Sequence, residues 1–449
     1  MNVFTLLRGK FGRNVGSTLL TQALTWTMAM GVTFFLPGYL GEKNLGVLTL
    51  AAGFAGTLSV FVNFGTSTVL VREIARTPER VGELVRAALI LRLTLGLLVL
   101  SLGAGVTFLL GYADNVRLVI IIALISSVAG HITEPFQSAL RGLEEFPKQN
   151  AAVLAEKIVF SACTVGLVYV KAPLWSFVAV YLFGTAISAA FAWRKLLPFL
   201  QAKKEIAIGP PPMSRYAECR NLAVAGLPFL SSMVFVSIYG DGSSALLMSK
   251  LSTLEAIGWF GLAKRFAGAA QMVPVAVAGA MLPILTRLYH SGDRDGYAQM
   301  VRSMICVLLA CLVPLSLVLI VFPEILLHLL HYPEGFAGSV PVLRLTGCVL
   351  VLWFAQQAVG TALVAAGKQA IFGKVTAVAA LLAFPVCGVC IWAGERFMRN
   401  GAFGAMAADA ILEIFLLSCY TRVLLPELTS PKSSGPATRS SRSELTEAI

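Results

Sequence analysis

YGDGSSALLMSKLSTLEAIGWFGLAKR, residues 239–265, joins the end of one long apolar segment to the start of the next. Asp241 lies in the first segment, and Lys264 and Arg265 lie in the second. We read the two segments as transmembrane helices around a turn near Lys250. At about 1.5 Å per residue, Asp241 is then roughly 10 Å and Lys264 roughly 12 Å from that end of the bundle. The hydrocarbon core is about 30 Å thick. Ionised groups at such depths cost about 2.5 kcal/mol or more each, so they must pair, meet water or bind something.

The rest of the chain supports a membrane reading. Of 449 residues, 57% are hydrophobic and 13% charged. That excludes an ordinary soluble domain. The net charge of +12 is explained by basic loops and anionic lipid head groups, so no nucleic-acid partner is expected. Cys387 and Cys390 form a C-x-x-C on an apolar stretch without a second pair, and are read as buried thiols. There is no cleavable signal pattern.

Twelve apolar helices are expected, at about 15–36, 45–70, 87–110, 118–140, 151–170, 174–192, 222–247, 256–286, 304–326, 340–365, 371–392 and 402–424. Residues 1–14 form a basic cytoplasmic N-terminus, 194–221 a basic cytoplasmic linker, and 426–449 a disordered cytoplasmic tail rich in Ser, Thr and Pro. With the N-terminus inside, inner segments hold 25 Lys and Arg and outer segments hold seven. Arg92, Lys264 and Arg265 are intramembrane. The asymmetry puts both termini in the cytoplasm.

The linker divides the chain almost in half. Leu45-Gly46 before helix 2 matches Ile257-Gly258 before helix 8, and WRKLLP (193–198) at the end of helix 6 matches TRVLLP (421–426) at the end of helix 12. Six is an even number, so the two lobes, 15–193 and 222–425, share an orientation. The fold expected is an all-α membrane protein of two six-helix lobes with a central cavity, the parallel-repeat plan of a secondary transporter.

Several polar groups are candidates for lining that cavity. Ser237, Asp241 and Ser244 share one helical face, as do Lys264, Gly268 and Gln271. Arg265 points about 100° away from Lys264. One alternative is a structural ion pair between Asp241 and either cation; the other is a cationic site for an anionic substrate, with two cations against one carboxylate. Gln22 with Thr18 and Thr25, and Asn63 with Ser59 and Thr66, make uncharged polar stripes that either bond between helices or contact sugar hydroxyls. Arg92 and Glu134 match in depth, as an intralobe pair or with Arg92 at substrate entry. Asp409 and Glu413 share a face and could couple ions, with Arg344 the bland partner for Asp409.

No G-x-x-x-x-G-K-[ST], H-E-x-x-H or G-x-S-x-G occurs, and every outer loop is short. No catalytic residue, metal or cofactor is expected, and the chain is not read as an enzyme.

The stretch from Tyr239 to Arg265 resembles the helix 7–8 signature of polysaccharide-transport flippases in the multidrug/oligosaccharidyl-lipid/polysaccharide exporter superfamily. The matching residues are an aromatic residue, Asp241, Leu246-Leu247, Ile257-Gly258-x-Phe260 and Ala263-Lys264-Arg265. Leu45-Gly46, Phe64-Gly65 and Val71-Arg72-Glu73-Ile74-Ala75 are similar to the same family's first lobe. The resemblance covers roughly residues 10–425. It implies a MATE-like fold in a bacterial inner membrane and transport of a polyprenyl-pyrophosphate oligosaccharide to the outer leaflet, as for O-antigen or exopolysaccharide. It also implies glycan polymerase and glycosyltransferases as candidate partners. The superfamily's drug exporters usually carry carboxylates in the first lobe, and helices 1 and 2 here have none. Its lipid II flippases typically have two further helices. An ion-coupled multidrug or metabolite antiporter is the alternative.

Overall fold

The computed structural model describes residues 10–201 and 215–429. The first nine residues, residues 202–214 of the expected linker and the tail from 430 onward lie outside the described residues, as do the side chains of Tyr239 and Asp241.

Regular structure among the described residues is all helical. The helices are α1 (Lys10–Asn63), α2 (Thr66–Arg76), α3 (Val81–Leu109), α4 (Asp114–Gly142), α5 (Phe146–Tyr169), α6 (Leu174–Gln201), α7 (Arg215–Ser237), α8 (Ser243–Leu251), α9 (Leu254–Ala270), α10 (Met272–His290), α11 (Arg294–Val321), α12 (Pro323–Leu329), α13 (Val340–Ala365), α14 (Gln369–Met398) and α15 (Gly401–Thr429). Among the described residues, eleven segments are long and apolar enough to cross a membrane. The first of them, 61 residues long, turns back at Gly41, where φ is 73° and ψ 169°, so the crossings number twelve. An even number returns both described ends to one face, here called the terminal face; the opposite one is the far face.

Local chemistry places the breaks. Phe64 and Gly65 have φ of 51° and 69° and end the second arm of α1. The expected helix over 45–70 is therefore two helices, and α2 is a short amphipathic one that buries Val69, Leu70 and Ile74. Thr253 caps α9 by accepting a hydrogen bond from the Ala256 N–H at 3.2 Å, satisfying one of the donors that a helix start leaves open. The expected helix over 222–247 is broken by a π turn at Ile238–Gly242, with Gly240 at ψ −141°. The turn ends the simple helical spacing, so Ser237 and Ser244 do not share a face. Ser237 lines a cavity, and Ser244 is buried with its Oγ 3.6 Å from Cys387 Sγ. Cys387 is a free, buried thiol and Cys390 a half-buried one.

Helices α1–α6 pack together as one lobe, and α9–α15 as the other. The second arm of α1 crosses α9 near the far face. A Cβ on Gly46 would lie 1.8 Å from the Leu254 carbonyl oxygen, and one on Gly258 2.0 Å from that of Glu42. The backbones touch there, and only glycine permits it. Around this crossing Tyr332 donates to the Phe34 carbonyl at 2.6 Å, the hydroxyls of Tyr112 and Ser249 are 2.7 Å apart, and Lys250 donates to the Leu110 carbonyl. One buried apolar cluster runs through both lobes at this level, with Leu45, Leu50, Phe260 and Phe336 fully enclosed. Toward the terminal face α10 packs on α11 and α13 of its own lobe. The lobes thus close at the far face and part below it. The exception is α7, whose Leu222 belongs to an apolar cluster of the first lobe and whose Gly226 lies against the Phe64 carbonyl.

Candidate functional site between the lobes

Helix α9 carries the two cations, and its pitch sends them to different places. Lys264 Nζ bonds Asp409 Oδ2 at 2.8 Å, with both side chains largely buried in the second lobe. The ammonium stands 4.6 Å from the Trp353 ring centre and 5.4 Å from that of Phe260, within cation–π range. Arg265 turns toward the first lobe instead. Its Nη1 points at the Thr33 carbonyl oxygen, 3.5 Å away, and no carboxylate lies within 4.0 Å among the described residues. The pairing expected between Asp409 and Arg344 is not formed: Arg344 bonds Glu324 at 2.7 Å, at the far-face end of α13. Asp241 lies outside the described side chains, so its expected pairing with either cation does too.

The cations stand on a run of adjoining cavities that share lining residues. One of about 560 Å³ lies between the lobes, lined by Thr33, Thr49, Thr57, Ser237, Lys264 and Arg265 among others. Lys264 is shared with a second of about 480 Å³, which also holds Gln271, Trp353, Gln356, Asp409 and Glu413. Arg265 is shared with a third of about 490 Å³ inside the first lobe. Val236, Gln356 and Gln357 join the second to a fourth of about 430 Å³, bounded by Gly279, Gly360, Phe372 and Leu416. The arrangement offers a guanidinium fork, without a carboxylate partner among the described residues, to an anion at the lobe boundary, with a paired lysine and two carboxylates beside it.

The other expected residues fall in three groups. Gln271, Asp409 and Glu413 are brought to the Lys264 cavity. Arg92 and Asn63 are drawn into a buried network of the first lobe. Arg92 is fully enclosed, donates to Thr66 and Ser67 hydroxyls at 2.9 and 2.7 Å, and pairs with Glu134 at 3.2 Å. Asn63 donates to the same Glu134 at 3.1 Å. This is the intralobe alternative for Arg92 and the bonding alternative for the Asn63 stripe. Gln22 is exposed and lies away from these cavities, while its neighbour Thr18 accepts from Asn150 at 3.0 Å.

Sequence reasoning missed Lys157, Tyr181, Trp353, Gln356 and Gln357. It counted Lys157 with an inner segment because helix 5 was expected to begin at 151. The helix begins at Phe146, with Pro147 in its first turn, where proline suits the missing N–H. Lys157 is therefore roughly 16 Å along α5, bonded to Glu156 at 3.0 Å and exposed to the first-lobe cavity. Pro147 was the available signal.

Comparison with known proteins follows the same lines. The family described as polysaccharide biosynthesis protein matches residues 11–289, and the MatE family matches 228–389. No curated protein sequence matches significantly. Among solved structures, an inward-facing multidrug resistance MATE family transporter of the MOP superfamily superposes with a TM-score of 0.68 at 16% identity, covering 91% of this chain and 96% of its own. The lipid II flippase MurJ, in an inward closed conformation, gives 0.66 at 12% identity, covering 91% and 90%. The Vibrio cholerae MATE transporter VcmN, in its bent form, gives 0.54 at 17%, covering 92% and 98%. At these identities the likeness is one of fold: the expected two-lobe MATE-like architecture.

Proposed function

This chain belongs to the polysaccharide biosynthesis protein family, and from that premise we propose that it is a flippase. It carries an anionic lipid-linked oligosaccharide, a polyprenyl-pyrophosphate sugar, across the bacterial cytoplasmic membrane by alternating access, for cell-surface polysaccharide biosynthesis. The observation that carries this reading is Arg265, a guanidinium on the boundary between the lobes with no carboxylate within 4.0 Å among the described residues. A desolvated cation without an anion is costly, and a pyrophosphate supplies the anion in a geometry that suits the fork. Lys264 and Gln271 extend the polar wall, with Asp409 setting the charge beside it. The polyprenyl tail stays in lipid while the lobes rock about the head group.

The terminal face is the cytoplasmic one in this reading, because Lys and Arg crowd its loops. No covalent step occurs, so the chain is not an enzyme and needs no cofactor. Glycan polymerase and glycosyltransferases are candidate partners, and nucleic acid is not.

Leaflet-resolved flipping of a fluorescent polyprenyl-pyrophosphate sugar in proteoliposomes tests the proposal. Wild type should flip it, and Arg265→Ala should not. Flipping by Arg265→Ala at the wild-type rate would remove the cation from the mechanism.

A second reading is favoured by the joint presence of Asp409 and Glu413 in the Lys264 cavity: an ion-coupled multidrug or metabolite antiporter. Buried carboxylates of this kind serve proton relays. Proton movement driven by a cationic drug, lost in Glu413→Gln, would support it. Its absence with a range of cations, beside flipping of the lipid, would exclude it.

A further inference from the structure

The first-lobe cavity has a volume of about 490 Å³. Its size is that of a small-ligand site. Arg265 stands at its mouth, and helices α1, α4, α5 and α6 form its walls. Much of the wall is apolar, including Leu36, Phe160 and Phe177. Polar groups converge from four helices: Thr33 from α1, Ser126 and Ser127 from α4, Lys157, Ser161 and Thr164 from α5, and Tyr181 from α6.

Several of these groups are uncommitted. Thr164 donates to the Phe160 carbonyl at 2.7 Å and Ser126 approaches the Val178 carbonyl at 3.4 Å. Among the described residues, the hydroxyls of Ser127, Ser161 and Tyr181 make no hydrogen bond. Lys157 keeps donors to spare beyond its bond to Glu156 and stands 5.6 Å from the Tyr181 ring centre. The Phe160 ring meets Tyr181 edge-on, at 6.2 Å and 81°. A wall of separate hydroxyls and an ammonium, set among aromatic rings, suits a ligand that has many hydroxyls and apolar C–H faces. It does not suit a compact anion, for which one lysine already held by a carboxylate is a weak trap.

We infer that this cavity is a sugar subsite: it takes the first pyranose ring of the glycan, held by Ser127, Ser161, Tyr181 and Lys157, while Arg265 at its mouth holds the pyrophosphate. The inference rests on the flippase reading and assigns the two lobes different parts of one head group. The second lobe supplies the cation for the phosphates, and the first lobe reads the sugar.

The test measures binding to the full-length protein in nanodiscs. The probes are undecaprenyl pyrophosphate alone and the same lipid carrying glucose, galactose or N-acetylglucosamine. The variants are Arg265→Ala and the triple Ser127→Ala, Ser161→Ala, Tyr181→Phe. At least one sugar-bearing lipid should bind wild type about tenfold more tightly than the bare lipid, as a few net hydrogen bonds would give. The triple variant should lose that increment and still bind the bare lipid as wild type does, which also shows that it is folded. Arg265→Ala should weaken every probe. An increment retained by the triple variant, or no increment for any sugar, overturns the subsite and leaves the flippase reading standing. Failure of wild type to bind any of the four lipids overturns both.

Discussion

Gly46 and Gly258, 212 positions apart in the sequence, lie against each other where the two lobes meet. A Cβ on Gly46 would lie 3.1 Å from the Gly258 nitrogen as well as 1.8 Å from the Leu254 carbonyl oxygen. They are the glycines of the two matching dipeptides, Leu45-Gly46 and Ile257-Gly258. The far-face seal is therefore a contact between two matching dipeptides, one from each lobe.

Substitution at the seal should bias the protein toward opening at the far face. Gly46→Val places side-chain atoms where backbone now lies, and overpacking of this kind costs about 1–3 kcal/mol or more. Transport should fall about tenfold or more while membrane abundance is kept. In a background with the eight cysteines replaced, a cysteine at Thr49 should label from the far side with an impermeant maleimide in Gly46→Val and resist it otherwise. Equal labelling in both would count against the seal.

The two cations of α9 should respond differently to removal. Arg265→Ala should leave thermal stability near wild type and reduce flipping about 100-fold, since removing a charge-assisted anion contact costs about 1.5–3 kcal/mol. Lys264→Ala strips a buried partner from Asp409, a loss of about 3–5 kcal/mol, and should lower the melting temperature. Lys264→Met with Asp409→Asn should recover much of that stability. A double-mutant cycle on the melting transition measures the coupling, and additive single effects would refute it.

Arg92 should behave as a folding residue. It is fully enclosed, and it ties α3 to Thr66 and Ser67 of α2 and to Glu134 of α4. Arg92→Leu should cost about 3–5 kcal/mol because Glu134 loses its enclosed partner. Protein level in the membrane and thermal unfolding report it. Normal abundance with abolished flipping would instead return Arg92 to the transport path.

At the terminal face Arg80 bonds Glu218 at 2.5 Å and Glu83 at 3.0 Å, fastening α7 to the first lobe. The Arg80 side chain is about one-third exposed, so the pair is worth about 1 kcal/mol or less. Glu218→Ala should reduce transport only a few-fold, and the exchange Arg80→Glu with Glu218→Arg should restore part of it. Flipping rates for the three variants, compared at equal protein, decide this.

The sequence carried the architecture because its strongest signals are long-range ones. Apolar runs of membrane length, the bias of Lys and Arg and the Leu45-Gly46/Ile257-Gly258 match each survive errors of several residues. The opposed directions of Lys264 and Arg265 followed from a 100° pitch, and the structure sends one into its own lobe and the other to the boundary. What failed depended on single backbone angles. The spacing of Ser237 and Ser244 assumed an unbroken helix, and the π turn at 238–242 removes that assumption. Lys157 was misplaced because the start of α5 was set by hydropathy rather than by Pro147. The choice of Lys264 over Arg344 as partner of Asp409 is a tertiary fact, set by how α9 and α13 lie on α15, and depth alone could not rank the two.

Helix α7 docks on the first lobe through Leu222 and Gly226, while α8, its continuation past the π turn, packs on α14 of the second. One crossing is thus anchored in two bodies. If the bodies turn against each other, the stretch between Gly226 and Ser243 must flex, and the π turn at 238–242 lies within it. Helices bend most readily at such π turns and at glycine, so the bend falls there. Two proteins with identical cavities could cycle at different rates for this reason alone, separated only by how easily Gly240 bends.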